Sequence, residues 1–242
     1  MIGIPIVSKS FNLIMVMPVY NEALSLPSVI EKWSTEFDRL GLTYRIDAYN
    51  DGSKDNSLDV LRDLAKRFPN LNVVDKPNSG HGPTILKGYK EAAKDAEWVF
   101  QIDSDDEISV EEFESFWTKR DDFDFLIGIR HTRQKNIIRL FITKIARIAI
   151  RLLFGSGIRD VNCPYRLVRV ASFKACFESI PSDMFAPNVA VSGYAVRKKL
   201  RLFQSEVKYS FRQQGTVALG STKMLNKAAL SLIQLLGFLF KK

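Results

Sequence analysis

The sequence predicts an α/β fold with a mainly parallel sheet flanked by helices, and three observations carry that reading. Short apolar runs alternate with longer stretches whose apolar residues recur at helical spacing, the pattern of βαβ units. Most of the early runs stop in a polar, turn-forming cluster. The 242 residues, 46% of them hydrophobic, suffice for one large domain, or a domain with an appendage, around a sizeable core.

The elements follow in order. Asn12 to Met17 reads as the first strand, closed by Pro18-Val19-Tyr20-Asn21-Glu22. From Ser25 to Leu40 the residues Leu26, Val29, Ile30, Trp33, Phe37 and Leu40 fall on one helical face, and Gly41 stops the helix. Tyr44 to Tyr49 is the second strand, ending in Asn50-Asp51-Gly52-Ser53-Lys54-Asp55-Asn56-Ser57, after which Leu58, Leu61, Leu64, Ala65 and Phe68 mark a helix. Leu71 to Val74, the third strand, leads into Asn78-Ser79-Gly80-His81-Gly82-Pro83 and a helix through Lys94. Trp98 to Ile102 is a buried strand that delivers Asp103-Ser104-Asp105-Asp106-Glu107 to the point where it stops.

The ends of the first, second and fourth strands share one edge of a parallel sheet, the edge at which open α/β folds bind ligands. Asp103 and Asp105, two apart, project to the same side of an extended segment. Mg²⁺ and Mn²⁺ favour such oxygen ligands and also take phosphate oxygens from a substrate. The loop therefore reads as a metal-bridged diphosphate site, or as an acidic lead into a helix capped by Ser109 and followed by Glu111 and Glu112. Asp51-Gly52-Ser53 reads as part of the site or as a turn with an N-cap. Gly80-His81-Gly82 is a weak phosphate signal or a flexible turn.

In the second half, Asp124 to Ile129 is a strand ending in Arg130, with His131, Arg133 and Lys135 beyond it. Over residues 136–154, Arg139, Lys144, Arg147 and Arg151 gather on one arc of a helical wheel, opposite Phe141, Ile142, Ile145, Ile148, Leu152 and Leu153. Such a helix lies in the plane of an anionic membrane or packs on the domain with its basic face outward. Asp160 lies ahead of Pro164-Tyr165-Arg166, where it can serve as a structural cap. Asp183, ahead of a helix from Val189 to Lys199, is a second candidate carboxylate or a charge at that helix's N-terminus. Arg201 to Phe211 alternates as a strand and runs into Arg212-Gln213-Gln214-Gly215-Thr216, with 215–222 a loop able to close over a ligand. Residues 223–242 are amphipathic again. Their apolar run from Ala228 to Phe240 is shorter than the roughly 20 residues a bilayer requires, so it lies on a membrane or packs on the domain.

A net charge of +8 suits an anionic partner. Nucleic acid ranks low, because the basic residues concentrate on an apolar-backed helix and not among stacking aromatics. The two cysteines, Cys163 and Cys176, have no metal-type spacing and point to a reducing compartment. Leu13 to Met17 is too short to span and lacks a signal-peptide cleavage pattern, so the expected location is cytoplasmic.

The ordered set Pro18-Val19-Tyr20-Asn21-Glu22, Asn50-Asp51-Gly52-Ser53-Lys54-Asp55, Gly80-His81-Gly82 and Asp103-Ser104-Asp105 resembles the motifs of family 2 glycosyltransferases, which have the Rossmann-like GT-A fold. It is most similar to the branch of dolichyl-phosphate mannose synthase and bacterial polyprenyl-phosphate sugar transferases. The resemblance implies one GT-A domain over 1–222, with a donor half at 12–130 and an acceptor half at 131–222, then an amphipathic segment at 223–242. Pro18, Tyr20, Glu22, Asp51 and Gly82 would bind the donor, a GDP- or UDP-sugar, with Asp51 accepting from a base N–H. Asp103 and Asp105 would hold Mn²⁺ or Mg²⁺. Glu107 stands where the mannose synthase branch has a metal-reaching Gln. Arg130, with Arg139 and Arg147, would meet the acceptor phosphate, Asp160 would approach the reacting groups, and Arg212 would grip the pyrophosphate. The implied reaction is inverting transfer to a polyprenyl phosphate by an enzyme held peripherally at the inner face of the membrane. Transfer to a hydroxyl of a lipid-linked or surface glycan, and a non-catalytic nucleotide-sugar binder, are the alternatives.

Overall fold

The computed structural model describes residues 10–130, 157–210, 234, 235 and 237. The helix predicted at 136–154 with Arg139 and Arg147, the Arg212 turn and most of 223–242 lie outside the described residues. In the first half β1 (Phe11–Val19), β2 (Tyr44–Asp51), β3 (Leu71–Lys76) and β4 (Ala96–Gln101) alternate with α1 (Leu26–Arg39), α2 (Ser57–Arg67) and α3 (His81–Asp95). The second half contains α4 (Phe113–Thr118), β5 (Phe125–Arg130), β6 (Arg166–Arg169), α5 (Val170–Ser179), α6 (Pro187–Arg197) and β7 (Leu202–Val207).

Seven strands form one sheet in the order β3-β2-β1-β4-β6-β5-β7. Neighbours run parallel except at β6, which is antiparallel to both β4 and β5 and joins the two halves. The strand escapes a sequence reading because Arg166-Leu167-Val168-Arg169 is short and flanked by arginines. Its burial is nonetheless complete from Arg166 to Val168.

β1 is the spine. Leu13 to Met17 are wholly buried between β2 and β4, so both faces are covered and the strand reads as a continuous apolar run. Pro18 is tolerated because pairing with β4 has already ended at Val16 and Gln101, and a missing N–H costs no ladder bond on that side. Past the last paired residues, the chain leaves the sheet along one edge.

Two boundaries move. Ser109 does not cap the next helix: α4 starts at Phe113, and the Ser109 hydroxyl accepts from the Glu111 N–H at 3.3 Å. The late strand stops at Val207, beyond which Tyr209 makes an isolated bridge to Ile108. Among the described residues no helix is long and apolar enough to cross a membrane. Leu235 is buried, and the Gln234 amide clasps the Asp183 carbonyl and the Phe185 N–H, so the C-terminal segment rests on the domain at this point.

Candidate active site

The C-terminal ends of β1, β2 and β4 enclose a cleft of about 440 Å³. Pro18, Tyr20, Glu22, Asp51, Asp103 and Asp105 all line it, joined by Asn78, Gly80 and His81. Six residues spread over nearly ninety positions thus converge as the strand-end reading expects.

Local hydrogen bonding knits the rim. Ser53 and Ser57 hydroxyls accept from the N–H groups of Asn21 and Glu22 at 3.0 and 2.8 Å, and Asp55 accepts from Ala23. Asn21 answers by accepting from the Lys54 N–H at 2.7 Å. The loops after β1 and β2 are therefore one unit. Gly52 sits at a positive φ, and a Cβ there would come within 2.8 Å of the Asn78 nitrogen, so only glycine lets the β3–α3 loop close against this turn. Ser25, at the start of α1, donates to the Ser104 carbonyl at 2.8 Å and ties the helix to the acidic loop.

Asp105 is the carboxylate under most stress. Burial, then the Asp103 charge, then Glu107 and Glu22 push its pKa up from 3.8 to about 7, against one bond accepted from the Glu107 N–H. His81, at the N-terminus of α3, comes within 3.6 Å of Asp103. Two crowded carboxylates facing a cleft fit a divalent cation, which would relieve their repulsion. Among the described residues no three His, Cys, Asp or Glu side chains form a metal cluster. A carboxylate pair that leaves places for substrate phosphate oxygens is a usual arrangement for Mg²⁺.

Several expected residues do something else. The Glu107 carboxylate accepts from the Tyr209 hydroxyl and is not part of the cleft wall, so the expected set of Asp103, Asp105 and Glu107 is not assembled. Asp106, at a positive φ, accepts from the Ser28 hydroxyl at 3.0 Å and from Lys32 Nζ at 2.7 Å. Gly82 lies inside α3 and away from the cleft. A Cβ on it would lie 2.2 Å from the Phe185 carbonyl oxygen, so its smallness serves packing. Asp51 lines the cleft, but its carboxylate already accepts from Lys76 and from the N–H groups of Ser79 and Gly80 at 2.8 and 3.0 Å. Burial raises its pKa, and the Lys76 and Ser79 bonds outweigh this and hold it below the usual range. Lys76 was missed by sequence reasoning, although it ends β3 on the ligand edge and could have been read from that position.

Arg130 and Asp160, neither of which lines the cleft, pair with each other. Arg130 Nε and Nη2 donate to the two Asp160 oxygens at 2.9 and 3.2 Å. Asp183 does not line the cleft and precedes α6 by too many residues to charge its first turn. Cys163 and Cys176 are free and buried, and burial pushes the Cys163 thiol up to about 12.

The model of glycosyl transferase family 2 matches residues 14–177, and the chain belongs to that family. An undecaprenyl-phosphate 4-deoxy-4-formamido-L-arabinose transferase from Shewanella sediminis is 27% identical over 215 residues, covering 87% of this chain and 62% of the relative. The Salmonella typhimurium protein of the same description is 26% identical over 231 residues, covering 92% and 70%. The chain thus spans about 62% of the length of the Shewanella relative. Among solved structures, glucosyl-3-phosphoglycerate synthase of Mycobacterium tuberculosis superposes with a TM-score of 0.62 at 16% identity, over 94% of this chain and 80% of the other. A Pyrobaculum calidifontis mannosyltransferase in complex with GDP-Man and Mn²⁺ gives 0.63 at 14% identity, over 97% and 66%. The fold is GT-A.

Proposed function

We propose that this protein moves a sugar from a UDP- or GDP-sugar to a polyprenyl phosphate, with inversion, at the inner surface of a membrane. The Shewanella and Salmonella relatives are described as acting on undecaprenyl phosphate, which supports that acceptor class. The Pyrobaculum neighbour holds GDP-Man with Mn²⁺, and a mycobacterial neighbour holds UDP with Mn²⁺, which supports the donor class and the cation.

The observation that carries the acceptor assignment is the ion pair between Arg130 and Asp160. A hydroxyl acceptor must lose a proton to a base as it attacks, and both Asp160 oxygens are already taken up by Arg130 N–H groups. Asp183, the other candidate, is outside the cleft wall. A phosphate monoester is already anionic at neutral pH and needs no base. Its oxygen attacks the anomeric carbon as the bond to the nucleotide diphosphate breaks, the diphosphate leaves with the bonding pair, and a single displacement inverts the centre.

The residues divide the work. Pro18, Tyr20 and Asp51 shape the wall against the donor's base and ribose. Asp103 and Asp105 would hold Mn²⁺ or Mg²⁺, which when bound supplies Lewis-acid stabilisation of the departing diphosphate. Arg212 clamps the same diphosphate, and Arg130 with Arg139 and Arg147 receives the acceptor phosphate. The deciding experiment gives the purified full chain Mn²⁺, a panel of UDP- and GDP-sugars, and either undecaprenyl phosphate or a lipid-linked glycan. Product on undecaprenyl phosphate is expected; transfer to the glycan hydroxyl alone would overturn the assignment.

A further inference from the structure

Behind Asp103 runs a chain of buried polar groups that the reaction scheme above leaves unused. Gln101, the last residue of β4, and Tyr89 on α3 are wholly buried, and Asn188 in the first turn of α6 is 4% exposed. Gln101 Nε2 donates to Asp103 Oδ1 at 3.0 Å. Asn188 Nδ2 donates to Gln101 Oε1 at 3.0 Å, and the Tyr89 hydroxyl donates to Asn188 Oδ1 at 2.9 Å.

The direction of this relay is set by its end. An ionised carboxylate only accepts, so Gln101 must offer it the NH₂ group. That leaves the Gln101 oxygen for Asn188, which must offer its own NH₂ and accept from Tyr89. Reversing any one amide places oxygen against oxygen somewhere along the line. Asn188 is also held by its backbone: Arg166, itself wholly buried, donates from Nη1 to the Asn188 carbonyl at 2.9 Å and from Nε and Nη2 to the carbonyls of Cys163 and Val161. Each buried polar atom left unpaired costs about 1–3 kcal/mol, so a relay of this length persists only if fully satisfied. A satisfied network rigidifies what it touches.

We infer that Asn188, acting through Gln101 and anchored by Tyr89, is a positioning residue that fixes the Asp103 carboxylate for cation and diphosphate binding. The inference rests on the donor-site reading above. It makes the acceptor half a structural determinant of the donor site: α6 reaches across β6 to set a carboxylate at the end of β4. Groups that orient metal-binding carboxylates typically change metal affinity by about 10–100-fold when removed.

The test is Mn²⁺ titration of the full chain in the presence of UDP and, separately, GDP, followed by the free-ion electron paramagnetic resonance signal. Asn188→Asp puts an acceptor against the Gln101 oxygen, which turns the Gln101 amide over and faces its oxygen to Asp103. Gln101→Met removes the donor with a side chain of similar shape. Both are expected to weaken Mn²⁺ binding about tenfold or more, with metal-free nucleotide affinity unchanged, in variants that melt below the parent yet stay folded at the titration temperature. Asp105→Ala is the reference for a lost site. If Asn188→Asp fails to fold, Gln101→Met decides. Folded variants that bind Mn²⁺ like the parent overturn the relay, as does an equal loss of metal-free nucleotide affinity, which would mark a merely structural role. A parent chain that binds no Mn²⁺ with either nucleotide overturns the donor-site reading itself.

Discussion

The acidic pair in the cleft and the Arg130–Asp160 pair, which is not part of the cleft wall, balance charge in opposite ways. On the donor side Asp103 and Asp105 face each other's charge, and Asp105 is driven towards neutrality. Arg130 and Asp160, by contrast, cancel within one ion pair. Crowded carboxylates gain from a cation brought from outside, as the proposed donor site requires, whereas a neutralised pair has no net charge to offset.

The strongest way to break this contrast is Asp105→Ala. Transfer should fall by about 10³-fold and the Mn²⁺-dependent rise in melting temperature should vanish, with the far-ultraviolet dichroism unchanged. Retained metal dependence would place the cation elsewhere.

On the acceptor side the effects should be smaller and should appear in a different parameter. Arg130→Ala should raise the KM for undecaprenyl phosphate by about 30-fold, the cost of truncating one member of a hydrogen-bonded charge pair, and leave the donor KM in place. Asp160→Asn keeps the shape and a hydrogen-bond acceptor, so kcat should change by less than about tenfold. A loss near 10³-fold in that variant would instead mark Asp160 as a base, worth up to about 10⁴-fold in general acid–base catalysis, and revive the hydroxyl acceptor.

Titration sharpens the donor side further. With its folded pKa raised to about 7, Asp105 favours the protonated form. Its contribution to stability is present at low pH and is lost as pH rises from about 4 through 7. The metal-free parent should therefore lose stability over that range relative to Asp105→Asn in paired thermal melts. Mn²⁺ requires the ionised form, so its affinity should weaken by up to about tenfold per pH unit below 7. A pH-independent affinity between pH 5.5 and 8 would contradict the crowding of the two carboxylates.

The two sides also differed in how much could be read from the sequence. The donor edge was legible because strand ends in a parallel sheet share an edge by geometry, so Pro18, Asp51 and Asp105 could be brought together from their positions alone. The acceptor side depends on β6, whose arginine-flanked, four-residue run carries no apolar signature, and whose antiparallel insertion decides which side chains meet. Arg130 and Asp160 were both singled out, but their pairing was invisible without that strand. Gly82 shows the same limit within the donor half: a glycine beside a phosphate motif and a glycine under a crossing loop look alike until the Phe185 carbonyl is in place.

Glu107 offers the finest discrimination. Its carboxylate accepts from Tyr209, its carbonyl accepts from the Ser210 N–H at 2.7 Å, and the Ser109 N–H reaches the Lys208 carbonyl at 3.1 Å. These bonds clamp the end of the acidic loop to the segment leading into Arg212. If Glu107 serves as that clamp, Glu107→Ala and Tyr209→Phe remove the same interaction. Each should cost about 1 kcal/mol of stability, and the double variant should cost little more than either alone, because residues in direct contact are not additive. Mn²⁺ affinity should stay within about threefold of the parent in all three, since loss of a true ligand would lower it far more in Glu107→Ala than in Tyr209→Phe. An additive pair, or a metal affinity lost with Glu107 alone, would return this carboxylate to the cation and move the boundary of the donor site one turn further along the loop.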